Sequence, residues 1–345
     1  MYKQTQAMIQ ELLKKKIFPG VAFTFIRNNN QESYCFGDAQ LLPTRQPLTP
    51  NLLFDVASLT KVICTTTVIL KLWQEGIIAL EDPIKKYYPD FNDEKITIHH
   101  LMTHTSDITG YISNRDQLNK EELRKAYNQL QSGKYLGKRV MYTDTGTILL
   151  GFMLESIFNE DVVTIFTKNV LQPLQMSMST FLPDDYKICI PTENHKERGI
   201  IQGQTHDPKA FILKEHAGNA GLFTNNKDLV NFVSMYLNEG SYEGKCILTP
   251  ETIQALLINQ TPFDENSWSL GWKLKNDLSD NHPLLFHTGY TGTFLLIDVQ
   301  QKEAFIFLSN RIHPVDHKEI YIKCRDELVQ QYLEEKAAMT HKSLD

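Results

Sequence analysis

The chain has 345 residues, 41% of them hydrophobic, enough to bury a large core in one big domain or two interlocked ones, which excludes a disordered chain. A formal net charge of −6 argues against a nucleic-acid or anionic-membrane partner, and the short runs Lys14 to Lys16 and Lys85-Lys86 read as solvated faces. Five scattered cysteines, at 35, 64, 189, 246 and 324, with no C-x-x-C, support neither a disulfide framework nor a zinc ribbon and fit reduced thiols in a cytosol.

In chain order, residues 2 to 16 read as an amphipathic helix carrying Met8, Ile9, Leu12 and Leu13, stopped by Pro19-Gly20. No apolar run there is long enough for a signal peptide, so a cytoplasmic protein is expected. Val21 to Arg27 and Glu32 to Gly37, separated by Asn28-Asn29-Asn30, form a hairpin signal. Residues 38 to 57, with three prolines, read as loop.

The next stretch organises the chain. Ser58-Leu59-Thr60-Lys61 is followed by a helix in which Leu59, Val62, Ile63, Thr66, Ile69, Leu70 and Trp73 recur at three and four residue steps, apolar nearly all round and therefore central. If Ser58 opens that helix, its hydroxyl and the Lys61 amine share one face, and burial would strip the amine of its proton so that it could act as a base toward the serine. On this stretch alone the alternative stands: Ser58 a plain helix cap, Lys61 solvated.

From Gly76 to about residue 222 the pattern is helix and loop, with helical signals over 95–104, 120–131, 145–158 and 161–171 and no convincing strand. Helices over 226–238 and 250–258 follow, then strand signals at 268–274, 284–287, 293–299 and 304–309. A C-terminal helix over 315–335 closes the chain, with 336–345 expected to fray. Strands, helices, strands is the order of an α+β fold, with one mainly antiparallel sheet built from both ends. The sheet-containing domain is assigned to 1–75 and 223–345, and an inserted helical domain to 76–222. No G-x-S-x-G, P-loop, H-E-x-x-H or G-x-G is present, and no cofactor is implied.

Two further stretches bear on Ser58: Val140-Met141-Tyr142-Thr143-Asp144-Thr145-Gly146, before a clear helix, and Leu285-Phe286-His287-Thr288-Gly289-Tyr290-Thr291-Gly292, between strand signals. In order and spacing, the three stretches resemble the motifs of the serine beta-lactamase and penicillin-binding-protein family, most closely its class C beta-lactamase and esterase-like branch. Leu101 to Ser106 resembles that family's L-L-T-H-T-S segment, Ala220 to Thr224 its A-G-L-F-S segment, and Leu308-Ser309-Asn310-Arg311 a late strand end.

The resemblance implies a five-stranded antiparallel sheet flanked by helices, with the site in the groove beside the helical region. It implies Ser58 as the nucleophile of an acyl-enzyme, Lys61 as its proton partner and Tyr142 as a proton shuttle, with base duty left open between the last two. Asp144, His287, Thr288, Gly289 and Tyr290 would line the substrate, Gly289 letting it approach the backbone and the Ser58 and Tyr290 N–H groups forming an oxyanion hole. Asp144 stands where Asn is usual and His287 where Lys is common, so a free substrate carboxylate is less securely implied, and an Asp144 lying near Lys61 would favour the charged ammonium over the neutral form a base requires. The expected function is hydrolysis of a small ester, lactam or peptide-like amide, ester first. A non-catalytic sensor of the same fold is the alternative.

His100 and His104, four apart, could share a helix face as metal ligands but lack a third partner, so they read as hydrogen-bonded structural histidines with no metal expected, and His313 and His317 read the same way. Trp73 and Tyr87-Tyr88 read as core or groove wall, and Leu174 to Met178 as packing. The sequence leaves the oligomeric state open.

Overall fold

The computed structural model describes residues 1–28, 30–261 and 267–342. Among these, a seven-stranded antiparallel sheet runs in the order Lys273–Asn276, Pro283–Gly289, Thr293–Asp298, Glu303–Ser309, Gly20–Arg27, Asn30–Gln40, Gln46–Pro47. Period-two alternation decides what each face meets. Val21, Phe23, Phe25, Phe294, Leu296, Phe305 and Phe307 pack against Tyr2, Ile9 and Leu12 of the N-terminal helix Lys3–Lys14 and Leu328, Val329 and Tyr332 of the C-terminal helix Lys318–Lys342. Ala22, Ile26, Leu295, Ile297, Ile306 and Leu308 face the main core on the other side.

That main core is threaded by two helices without a polar face. Thr145–Phe158 is buried from Thr145 to Glu155, and the segment after Ser58 is buried from Lys61 to Leu70. The latter begins as a wide π-turn over Lys61–Thr66 before Thr67–Gln74 becomes α-helical; Thr67 Oγ1 donates to the Val62 carbonyl five residues back, a bond an α-turn does not offer. Nothing in the apolar periodicity distinguishes such a turn.

The sheet has seven strands where five were implied. The unforeseen edge piece Gln46–Pro47 pairs with Asp38 and Gln40 inside the proline-bearing stretch read as loop. The signal at 268–274 yields the strand Lys273–Asn276, because the chain first doubles back: Trp268 bridges Lys273 across a turn whose Gly271 has φ 79°. Short ladders also occur where no strand was expected, with Thr180–Phe181 pairing to Leu222–Thr224 and Asn194–His195 to Gly199–Ile200. Of the hairpin connector Asn28-Asn29-Asn30, Asn29 lies outside the described residues.

The C-terminal helix does not fray at 336 but runs to Lys342; residues 343–345 lie outside the described residues. Lys336 explains the extension. Its side chain is buried, with Nζ 2.6 Å from Asp277 Oδ2, 2.7 Å from Asp298 Oδ2 and 2.8 Å from Gln301 Oε1. A lysine removed from water is tolerated when carboxylates and a further acceptor surround it, and it then fixes the helix that carries it. No helix among the described residues is long and apolar enough to cross a membrane.

Candidate active site

Ser58 is presented by a strained turn. The short strand Phe54–Asp55 pairs with Leu222–Thr224, and the buried Asp55 then accepts the Ala57 N–H at 2.8 Å through Oδ1 and the His206 N–H at 2.7 Å through Oδ2. The first bond closes an Asx-turn that holds Ala57 at φ 47°, a left-handed conformation costing about 1–2 kcal/mol for a residue with a Cβ. Thr291 Oγ1 donates to the Asp55 carbonyl at 2.6 Å and Thr293 Oγ1 to that of Val56 at 3.2 Å, tying the turn to the sheet.

Ser58 is not a cap over a solvated lysine. Lys61 is 1% exposed, and its Nζ donates to Ser58 Oγ at 2.6 Å and to the Asn219 carbonyl at 3.3 Å. Asp144 Oδ1 lies 2.7 Å away, and the Tyr142 ring centroid 5.2 Å away. Burial alone would lower the Lys61 pKa, but the charge of Asp144, then that of Tyr142, with hydrogen bonds to both, outweigh it and hold the ammonium above the ordinary lysine range. The neutral lysine expected from burial alone is therefore corrected, and the expectation that a nearby Asp144 would favour the charged form is met. Burial likewise works to raise the Asp144 pKa, and the Lys61 and Lys209 charges more than reverse it, keeping the carboxylate ionised well below its usual range.

His287 is not a cation in the site. It is 3% exposed, and neither ring nitrogen has a hydrogen-bond partner. Burial first, then the Lys61 charge, push its pKa far below that of a free imidazole, so it is neutral throughout the physiological range. It packs among Trp268, Trp272 and Tyr142, with centroids 6.0 to 6.5 Å apart. His104, read from sequence as structural, belongs to the same cluster: its ring lies 4.6 Å from those of both Tyr142 and Trp268, and burial, then the Lys61 charge, push its pKa down to about 3.

Gly289 has a further reason to be glycine. A Cβ there would collide with the Val56 carbonyl and Thr293 Oγ1, so its bareness admits the Ser58 turn. Tyr290 stacks on His206, donates from its hydroxyl to Asp316 at 2.6 Å, and has its carbonyl clamped by Arg311.

Two cavities flank Tyr142, which is itself 43% exposed. One, of about 350 Å³, is bordered by Ser58, Tyr142, Asp144, His206, Lys209 and Tyr290. The other, of about 330 Å³, is bordered by Tyr142, Trp268, His287 and Thr288 together with the cations Lys273 and Arg325. The structure thus brings Ser58, Tyr142, Asp144 and Tyr290 around one cavity, with the buried Lys61 in contact with Ser58 and Asp144, and places His287 and Thr288 on the other.

Sequence reasoning missed Asp55, His104, Lys209, Lys273 and Arg325. For Lys209 a signal existed: Asp207-Pro208 is a helix start, and Asp207 Oδ1 accepts the N–H groups of Lys209 and Ala210 ahead of Pro208–Leu213. Two of the other histidines carry structural duties: His100 joins the Thr97 capping box, and His313 accepts the N–H groups of Leu41 and Leu42. Among the described residues the one cluster of metal-ligand type, Asp277, Asp280 and His282, is engaged in the ion pairs around Lys336 and its neighbours.

Comparison with known proteins agrees with this geometry. A family model described as Beta-lactamase matches residues 5–324. A protein of Salmonella agona (strain SL483) named "Putative D-alanyl-D-alanine carboxypeptidase" is 28% identical over 310 residues, covering 77% of this chain and 71% of that protein. A solved class C beta-lactamase superposes with a TM-score of 0.78 at 20% identity, covering 96% of both chains. A beta-lactamase/D-alanine carboxypeptidase from Pseudomonas syringae superposes with a TM-score of 0.77 at 18% identity, covering 96% of this chain and 97% of that one.

Proposed function

The chain belongs to the Beta-lactamase family and is a serine hydrolase of that fold, and from this premise we propose that it forms an acyl-enzyme on Ser58 from a small ester or peptide-like amide. The observation that carries the reading is the 2.6 Å contact between Lys61 Nζ and Ser58 Oγ at the edge of the 350 Å³ cavity. In the reacting form one proton has left the Lys61 and Tyr142 pair. Ser58 Oγ then bonds to the substrate carbonyl carbon while its proton passes to that pair. Collapse of the tetrahedral adduct breaks the bond to the leaving oxygen or nitrogen, which takes the proton. Water repeats the sequence on the acyl group, releasing the acid and restoring Ser58. Ser58 and Tyr290 border the cavity together, so their N–H groups are the candidate oxyanion donors, each contributing on the order of 3 kcal/mol to the transition state.

A second reading, a carboxypeptidase acting on D-alanine-terminated peptides, is favoured by Lys273 and Arg325. A neutral His287 offers no counter-charge to a C-terminal carboxylate, whereas these two cations border the adjoining cavity beside Thr288.

The test is incubation with a chromogenic short-chain ester, a D-alanyl-D-alanine peptide and a fluorescent penicillin, followed by intact-mass measurement on wild type and Ser58→Ala. Turnover with a transient adduct confined to Ser58 supports the hydrolase. A permanent adduct without turnover on any substrate identifies a sensor instead, and labelling that survives in Ser58→Ala overturns the assignment of the nucleophile.

A further inference from the structure

A closed ring of polar contacts borders the Ser58 cavity. Lys61 Nζ meets Asp144 Oδ1 at 2.7 Å and the Asn219 carbonyl at 3.3 Å. Asn219 Nδ2 donates to Asp207 Oδ1 at 3.1 Å, Asp207 Oδ2 pairs with Lys209 Nζ at 2.7 Å, and Lys209 Nζ returns to Asp144 Oδ2 at 3.0 Å. Two ammonium groups and two carboxylates cancel, so the ring holds four charges beside the nucleophile with no net charge. The Lys209 side chain is 16% exposed, and its root lies in the first turn of Pro208–Leu213, which Asp207 caps. Its ammonium is thereby held between the two carboxylates.

We propose that Lys209 is a positioning residue of the hydrolytic site, sharing the Asp144 carboxylate with Lys61 and so limiting how tightly Asp144 holds the Lys61 proton. The proposal rests on the acyl-transfer reading above, in which that proton must be able to leave. Alone, Asp144 would bind the Lys61 ammonium with both oxygens available. A second cation occupies one oxygen and opposes the charge on Lys61 through space, and both effects make the proton easier to release. Against Lys61 also stand Tyr142, His104 and His287, the two imidazoles held neutral by burial first and then by Lys61 itself. Around Lys209 stand Asp207, Asp144 and the nearby Asp116, and Arg115 and Tyr127 face Asp207. Lys209 is the one of these groups that adds positive charge directly to Asp144 besides Lys61.

The test is the pH dependence of kcat/KM on a neutral chromogenic ester for wild type, Lys209→Met, Lys209→Gln, Lys209→Arg and the double variant Asp144→Asn with Lys209→Met, with adduct mass and Tm recorded for each. Loss of the charge in Lys209→Met is expected to move the alkaline-rising limb up by about one pH unit, roughly a tenfold loss at pH 7 that is recovered at higher pH. Lys209→Gln keeps donors without charge and is expected to move the same way, which serves if the methionine variant folds poorly. Lys209→Arg should keep the wild-type limb. The double variant should bring the limb back below that of Lys209→Met, since no carboxylate then holds Lys61. A limb that stays in place or moves down in Lys209→Met and Lys209→Gln, with Ser58 still acylated, overturns the proposal. Failure of wild type to acylate Ser58 at any pH would instead overturn the acyl-transfer reading on which it rests.

Discussion

Asp144 Oδ1 lies 2.7 Å from Lys61 Nζ, as near to that ammonium as the Ser58 oxygen at 2.6 Å. The carboxylate and the hydroxyl therefore share one proton donor, and whatever strengthens the first contact delays activation of the second.

Asp144→Asn removes the larger of the two charges that raise the Lys61 pKa while keeping a group of the same shape. The alkaline-rising limb of kcat/KM should move to lower pH by about 1–3 units. Profiles measured on a neutral ester for wild type and variant check this, and coincident limbs would show that Asp144 does not govern the Lys61 proton.

Carboxylate preference, if the enzyme has one, should reside in Lys273 and Arg325 and not in His287. Replacing both cations with methionine should lower kcat/KM on a D-alanyl-D-alanine peptide by roughly 10–10² while a neutral ester stays within about twofold, since a hydrogen bond to a charged group is worth about 1.5–3 kcal/mol. Equal losses on both substrates would contradict this. His287 itself should add no step to the profile near the ordinary imidazole pKa of about 6.5, because burial holds it neutral there.

Gly289→Ala tests the contact between the third motif and the nucleophile turn. The new methyl meets the Val56 carbonyl, which is backbone and cannot rotate away. A loss of about 1–3 kcal/mol in urea unfolding is expected, together with slower acylation, as overpacking predicts. Unchanged acylation in the folded variant would mean that the turn tolerates displacement.

The C-terminal anchor should be weakened by alkali. His282 pairs with Asp298 at 2.9 Å and with Asp280; burial opposes its charge, and these carboxylates overcome that, raising its pKa to about 9. Since the folded pKa exceeds the unfolded value of about 6.5, the stability it confers is complete below about pH 6.5 and is lost as pH rises through about 9, on the order of 1–3 kcal/mol. Tm measured from pH 6 to 9.5 should fall more in wild type than in His282→Gln, and parallel curves would rule the linkage out.

The parts of the site that could be read from sequence are those whose partners lie nearby in the chain or in a motif of fixed spacing. Ser58 and Lys61 are three residues apart, and the helix Thr145–Phe158 that follows Asp144 is apolar on every side, so both stretches declare themselves. Asp55, Lys209 and Arg325 do not, because a single charged residue has no periodicity and its partner is chosen by the tertiary fold. Lys336 misled for the same reason: within a polar tail it reads as solvated, yet Asp277 and Asp298, distant in sequence, enclose it. His287 was identified as a position but not as a charge state, which depends on burial that composition does not reveal.

The turn bearing Ser58 takes its outer support from Thr291 and Thr293, 236 and 237 residues further along the chain from the carbonyls they bind, and the strand Gly20–Arg27 pairs with Glu303–Ser309. During synthesis the segment that will hold the reactive serine therefore leaves the ribosome long before either partner exists. The nascent chain carries an unassembled nucleophile until the last strands arrive, and hydrolytic competence reports completion of the whole polypeptide rather than of its first half.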